Sequence, residues 1–162
     1  MVLFVLILNI SLFSESIFDS KRFVSFGSGN YIHNEKEFIA ELRLNLGFKN
    51  DRSKLYFSMP YIYFLDKNEN ELEIAIYSIN YAYYFYKYKN ISIFGDIGLG
   101  MANIEKKVTQ YSHSFFELNG EIGIDYKINN HWSFNTGLKF YNINDNEVNN
   151  FHGFSFNIEY KQ

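Results

Sequence analysis

The sequence contains no cysteine and a single proline, Pro60. Without thiols the chain has no disulfide framework, no thiolate metal site and no cysteine nucleophile. Proline removes a donor from a β-ladder, so its scarcity is compatible with a chain made largely of strands. The formal net charge of −3 and the scattered basic residues give no polycationic surface, so we expect no nucleic-acid partner.

Long hydrophobic runs are also scarce. One apolar run, residues 2–13, is too short to cross a bilayer as a helix. It resembles the apolar region of a secretory signal peptide, with Ser14 and Ser16 as small residues before a cleavage site after Ser16. No Lys or Arg precedes the run, so the alternative is a buried first strand or helix of a soluble domain. We predict a signal peptide at 1–16 and one domain at 17–162.

What the chain has in excess is aromatic residues, with 18 Phe and 14 Tyr. Aromatic rings pack well on pleated surfaces, and residues 17–162 divide into segments that alternate with a period of two between clusters of Asn, Asp, Lys and Gly. Such segments lie near residues 22–29, 37–48, 54–65, 71–86, 91–102, 113–127, 132–142 and 150–160. Their lengths predict an eight-stranded all-β protein.

Alternation shows that one face of each strand is apolar, but a soluble lipocalin-like barrel and a membrane barrel share this pattern. Two features favour the membrane. The connections near 30–36, 66–70, 103–112 and 143–149 are mostly longer than those near 49–53, 87–90 and 128–131, as expected for long outer loops and short periplasmic turns. Aromatic residues also cluster towards segment ends, where an interfacial girdle would lie. The proposed girdle comprises Tyr61, Tyr63, Tyr84, Tyr86, Tyr126, Trp132 and Tyr160.

We therefore predict an eight-stranded antiparallel up-and-down transmembrane β-barrel in the bacterial outer membrane. Its expected partners are the barrel assembly machinery and the outer-membrane lipid or lipopolysaccharide. Two places depart from the pattern. The apolar residues of segment 71–86 change phase, which a bulge near Ser78 would repair, and Pro60 predicts a local bulge or a lumen-side kink. Gly95, Gly98 and Gly100 lie inside a strand pattern, so close packing explains them better than a nucleotide loop.

The polar face of the strands supplies charges that a small barrel would enclose as a packed interior and not as a pore. The predicted lumen network is Glu41, Arg43, Asp96, Glu121, Asp125 and Lys139. Pairing of its basic and acidic side chains is the structural interpretation, and a cation or proton site is the functional one. The histidines His33, His113, His131 and His152 form no metal-binding motif, so we expect neither a metal nor a cofactor.

The stretch from Ile91 to Tyr160 resembles the lipid A deacylases, outer-membrane barrels also known as acyloxyacyl hydrolases. The likeness lies in "IFGDIGLGMA", then "SFFELNGEIGIDYKINNHWSFNTGLKFY", then a short last loop and a closing strand. In that family a strand of the "GLKFY" type runs into H-x-S-N, and the His, the Ser and a following Glu cleave an acyl ester of lipid A. Here the His position holds Asn142, the Ser position holds Asn144, and the next residue is Asp145.

These substitutions bear directly on the chemistry that the resemblance implies. An amide neither accepts a proton near neutral pH nor attacks an ester, so Asn142 and Asn144 cannot replace the base and the nucleophile. The acid position corresponds to Glu147 or His152. The resemblance supports the fold and the compartment, and the substitutions weaken the case for the reaction. We therefore predict a non-catalytic barrel that interacts with the membrane or its lipid. The alternatives are a divergent lipid A ester hydrolase, using Ser112 or Ser114 with His113 or His152, and a small structural or adhesive barrel.

Overall fold

Alternating segments separated by turn-forming residues give the chain its strands. The structure, a computed structural model, describes residues 20–33, 37–65, 71–106, 111–145, 148 and 150–162, so the predicted signal peptide lies outside it. The strands are β1 Lys21–His33, β2 Glu37–Lys49, β3 Ser53–Leu65, β4 Glu71–Tyr88, β5 Ile91–Lys106, β6 Tyr111–Lys127, β7 Trp132–Ile143 and β8 Asn150–Lys161. Within the described ranges, no helix is long and apolar enough to cross a membrane.

Each strand pairs antiparallel with its neighbours in sequence, and β1 also pairs with β8, so the sheet is a closed barrel. Closure leaves no sheet edge along the paired length, which is what a sheet in hydrocarbon requires. The predicted fold class is confirmed. The barrel is asymmetric, since β4, β5 and β6 have 18, 16 and 17 residues while β7 and β8 have 12 each.

Short turns join the strands at one end of the barrel, where both chain termini of the described structure also lie. Asparagine side chains stabilise two of these turns. Asn50 Oδ1 accepts hydrogen bonds from the backbone N–H groups of Arg52 and Ser53, at 2.8 and 2.7 Å. Asn129 Oδ1 accepts equivalent bonds from His131 and Trp132, at 2.8 and 2.9 Å. Such bonds satisfy turn N–H groups that the ladders do not reach. We call this end the turn end and the opposite one the loop end.

The predicted bulge near Ser78 was wrong. The β4–β5 register runs unbroken from Leu72 opposite Lys106 to Tyr84 opposite Phe94, and shifts only between Tyr84 and Tyr86. Leu72 and its alternating neighbours simply face the lumen, because the lumen is apolar at the loop end. Tyr84 continues the same inward alternation and is buried, which corrects the girdle prediction at this position.

Pro60 causes no change of register. Ser58 pairs with Ser78 and Tyr61 with Ala75 on β4, so the ladder continues in the same register after a gap at Met59 and Pro60. Pro60 itself is buried on the lumen face, opposite Arg43 of β2. The missing N–H is therefore accommodated by a local interruption of the β3–β4 pairing and not by a bulge.

Because every strand is paired on both sides, we expect the folded chain to resist detergent until it is heated. Samples left unboiled in SDS should migrate differently on a gel from boiled samples. A soluble control protein run in parallel should show one mobility. Identical migration before and after boiling, with recovery of the chain in the soluble periplasmic fraction, would contradict a membrane barrel.

Candidate functional site

The two faces of the barrel differ sharply in chemistry. Outward side chains are large and apolar, and among them Leu42 is 70% and Phe26 is 65% exposed. The alternate residues of the same strands point inward and are polar, with Glu41 only 2% and Arg43 4% exposed. A soluble barrel places its apolar face inside, so this arrangement is inverted relative to one in water. The outer surface is a lipid-facing surface.

Four of the predicted lumen residues meet in one cluster at mid-height. Arg43 contacts Glu41 through Nε at 2.9 Å and Glu121 through Nη1 at 3.4 Å. Lys139 Nζ lies 3.8 Å from Glu121. Ser155 donates a hydrogen bond of 2.6 Å to Glu121, and Tyr141 donates one of 2.9 Å to Glu41. These contacts join β2, β6, β7 and β8 across the lumen. The cluster therefore holds the inward side chains of four strands in place.

The other two predicted lumen residues belong to different contacts. Asp96 accepts a hydrogen bond from the Tyr56 hydroxyl. Asp125 lies nearer the turn end, where Lys49 Nζ approaches it at 2.6 Å. Lys49 also contacts Glu159 at 2.8 Å, and Lys54 contacts the second oxygen of Glu159 at 2.6 Å.

Lys49 and Lys54 were not among the predicted residues of the lumen network. The signal was present in the alternation, since Lys49 continues the inward series of Glu41 and Arg43 on β2. Lys54 likewise precedes the inward Tyr56 on β3. Both lysines also lie over aromatic rings, Lys49 over Tyr84 at 5.0 Å and Lys54 over Phe23 at 4.3 Å. Burial of these ammonium groups is therefore compensated by carboxylates and ring faces together.

At the loop end the lumen is filled by an apolar plug. Tyr31, Tyr141 and Phe151 pack ring against ring, with centroids 4.9 to 5.6 Å apart. Isoleucines from several strands complete it, and Val148 of the last loop is buried against it. Together with the charged cluster below, the plug occupies the lumen between the described strands. The lumen is a packed interior, as small barrels require.

The residues that the sequence analysis compared with the deacylase motif lie on the outer surface near the loop end. Asn142 is exposed on β7, level with Asn150 of β8, and its amide donates a hydrogen bond to the Asn150 side chain. Asn144 is exposed just after β7, and its backbone N–H bonds the Phe116 carbonyl. His152 is exposed on β8, one outward position below Asn150. Glu147 lies outside the described residues.

The alternative hydroxyl groups lie far from the imidazole of His152. His152 is level with Phe140 on β7, and Phe140 is level with Gly120 on β6. Ser114 lies six residues before Gly120 on β6, towards the loop end. At about 3.3 Å per residue, this places it roughly 20 Å along the strand from the level of His152. Ser112 is further still. His113 is adjacent to both serines in sequence, and adjacent strand residues point to opposite faces. Ser114 instead donates a 2.7 Å hydrogen bond to Asn103.

A protein-family model of membrane barrels matches the chain, in agreement with its apolar outer surface and polar inward residues. Residues 7–161 match the model described as outer membrane protein beta-barrel domain. The chain belongs to this family. No curated protein sequence matches it.

Solved outer membrane barrels share the fold at low sequence identity. Neisserial surface protein A (NspA) aligns with a TM-score of 0.71 and 8% identity over 88% of this chain and 97% of that one. The outer membrane enzyme PagL gives a TM-score of 0.57 and 15% identity over 85% and 97%. Ail of Yersinia pestis, in complex with the heparin analogue sucrose octasulfate, gives 0.55 and 12% over 88% and 97%. These likenesses establish a shared fold.

As an outer membrane beta-barrel protein, the chain resides in the bacterial outer membrane, which confirms the predicted location. Short turns of such barrels face the periplasm and longer loops face outward, so the turn end is periplasmic and the apolar plug lies at the external end. Outward aromatic residues mark the periplasmic interface, where Trp132 and Tyr160 have ring centroids 4.9 Å apart. Within the described parts of the chain, no group of His, Asp and Glu side chains is arranged to hold a metal ion.

Proposed function

We propose that this outer membrane beta-barrel protein is a non-catalytic protein that binds outer-leaflet lipid, with lipopolysaccharide as its partner. The observation that carries the proposal is the placement of Asn142 and Asn144. By the sequence resemblance they correspond to the base and the nucleophile of the lipid A deacylases, and the Asn142 amide donates a hydrogen bond to Asn150 on the outer surface. Amide side chains bind phosphate and hydroxyl groups but do not hydrolyse esters.

The surface around Asn142 supports a lipid-binding role. Leu138 and Phe140 of β7 are exposed below it, and Phe154 is exposed on β8. His152 lies level with Phe140, and one outward position higher the side chains are Asn142 and Asn150, so the surface becomes polar towards the loop end. Acyl chains would lie against the apolar band, and the amides and the imidazole would meet the headgroup. The closed lumen argues against a transport function, because the plug and the charged cluster fill the interior.

The chain should not release fatty acid from lipid A. In vesicles containing lipid A, the wild-type protein is expected to release no more fatty acid than protein-free vesicles do. A catalytic triad that lacks its base and its nucleophile loses most of its rate enhancement. The measurement is free fatty acid by mass spectrometry. Hydrolysis by the wild type that is lost in His113→Ala or His152→Ala, but retained in Asn142→Ala, would overturn the proposal and favour a relocated hydrolase site.

Lipid binding itself is measured in the same system. The unfolding midpoint should rise when lipopolysaccharide replaces phospholipid, because a ligand that binds the native state stabilises it. The double variant Asn142→Ala/His152→Ala should lose most of this increase. Asn103→Ala is the matched control, an exposed amide near the loop end of β5, three strands away from β8. An equal increase in all three proteins would contradict binding at this surface.

A further inference from the structure

A cavity of about 190 Å³ opens at the turn end of the barrel. All three short turns contribute to its wall, together with the ends of β2, β4 and β6 and of β8. We call it the turn-end cavity. Lys49, Asp125 and Glu159 lie deepest in it, on inward strand positions, and Lys87, Lys127 and Lys161 lie nearer its mouth. It is distinct from the loop-end surface of the proposed lipid-binding function, since the two lie at opposite ends of the barrel.

The carboxylates deep in this cavity are already neutralised. Lys49 contacts both Asp125 and Glu159, at 2.6 and 2.8 Å, and Lys54 contacts Glu159 at 2.6 Å. Two lysines thus balance two acids. These carboxylates are therefore not available to neutralise the lysines nearer the mouth.

The mouth of the turn-end cavity carries excess positive charge. Lys87, Lys89, Lys127 and Lys161 line it, and the remaining carboxylate among the lining residues is Asp51. The charges of Lys49, Lys127 and Lys21 repel that of Lys161, and Glu159 offsets them in part. Like charges held close together raise the free energy of the protein unless an anion binds between them. The mouth is therefore an electrostatic site for an anion.

Uncharged donors accompany the lysines. Asn129 lines the cavity, and its side-chain oxygen is engaged by two backbone N–H groups of the turn. Its remaining polar group is the NH₂, which only donates. Ser92 and Ser133 add hydroxyl groups to the wall. Several donors around a compact cavity suit an anion with several oxygens, and lysine binds phosphate as a point charge.

We propose that the turn-end cavity binds a phosphate group. The cavity is blind, because the charged cluster and the apolar plug lie between it and the loop end, so it serves for binding and not for passage. It opens at the level of the outward Trp132 and Tyr160, where inner-leaflet headgroups lie. The phosphate comes either from a phospholipid headgroup of that leaflet or from solution.

Calorimetric titration tests this with inorganic phosphate and the full chain folded in an uncharged detergent, at constant ionic strength. We expect saturable binding. Lys127→Gln/Lys161→Gln should weaken it about tenfold, since two of the charged donors are removed, whereas Lys127→Arg/Lys161→Arg should retain it. Lys106→Gln, at the loop end of β5, is the control for loss of a lysine elsewhere and should bind as the wild type does.

Titration in the same detergent with added phosphatidylcholine distinguishes the two sources, because this headgroup carries a phosphate but no net charge. If a lipid headgroup is the ligand, phosphatidylcholine should abolish the binding of added phosphate. If soluble phosphate is the ligand, its affinity should be equal with and without the lipid. Absence of saturable binding in the detergent without lipid would overturn the proposal. So would undiminished binding by Lys127→Gln/Lys161→Gln, or an equal loss in Lys106→Gln.

Discussion

Replacement of Arg43 by methionine is expected to destabilise the barrel by about 3 to 5 kcal/mol, the usual cost of removing one partner from a buried ion pair. Arg43 is 4% exposed and contacts both Glu41 and Glu121. Its removal leaves two buried carboxylates with Lys139 as the nearest cation of the cluster, 3.8 Å from Glu121. Urea unfolding in lipid vesicles, followed by the fluorescence of the single tryptophan Trp132, measures the loss.

A second variant separates the effect of the unpaired carboxylates on stability from the effect of lost packing. In Arg43→Met/Glu41→Gln the stranded charge on Glu41 is removed as well, so part of the stability should return. Lys139 still faces Glu121 in this variant. If Arg43→Met unfolds within about 0.5 kcal/mol of the wild type, the range expected of an ordinary surface substitution, the cluster does not stabilise the barrel.

Replacement of Ile122 by arginine should cost about 2 to 4 kcal/mol, the penalty for a cationic side chain on the lipid face near the bilayer midplane. Ile122 is 57% exposed on β6, between the outward positions of neighbouring strands. It lies four residues from the interfacial Tyr126. With strands tilted by about 40°, that places it roughly 10 Å from the interface in an apolar band about 25 Å tall. The same unfolding measurement in vesicles applies.

Ile128→Arg is the matched control for this variant. Ile128 is 55% exposed in the turn after β6, where a cationic side chain reaches water and headgroups. Its expected cost is at most about 1 kcal/mol, the value for positions near the interface. Equal costs at Ile122 and Ile128 would mean that the two positions lie at the same depth, and the assignment of the lipid-facing band would be wrong.

The barrel fold of this chain occurs in outer membrane proteins of different kinds. The fold is shared with NspA, PagL and Ail, at identities of 8 to 15%. Barrels of one architecture carry different functions, so the fold gives the compartment and the site gives the chemistry. The proposal of a non-catalytic role rests on the amides of Asn142 and Asn144 and on the wide separation between Ser114 and His152.

The candidate sites differ in how far the sequence could predict them. Asn142 and Asn144 came from a motif comparison within one strand and the loop that follows, and the structure places both on the outer surface. The turn-end cavity was not predicted, because its lysines come from the ends of several strands and turns. Lys127 and Lys161 are 34 residues apart in sequence and share a wall of the cavity only after β6 and β8 are placed in the closed sheet.

By itself, the sequence determined the strands and which face of most of them is apolar. Neighbouring residues of a strand point to opposite faces, so Glu41 and Arg43 were assigned to one side and Leu42 to the other without knowledge of the fold. The alternation of short and long connections likewise indicated a membrane barrel, because hairpin lengths are local properties of the chain.

Only the tertiary structure decided which of these side chains meet. Arg43 and Glu121 are 78 residues apart, and Tyr141 and Glu41 are 100 apart. Their contacts depend on the stagger with which all eight strands close, a property of the whole sheet. The same closure brings the apolar inward residues of several strands together at one end of the lumen and the charged ones together at the other. Leu72 and Ile74 therefore face inward without a bulge, and Tyr84 lies over Lys49 instead of in the girdle.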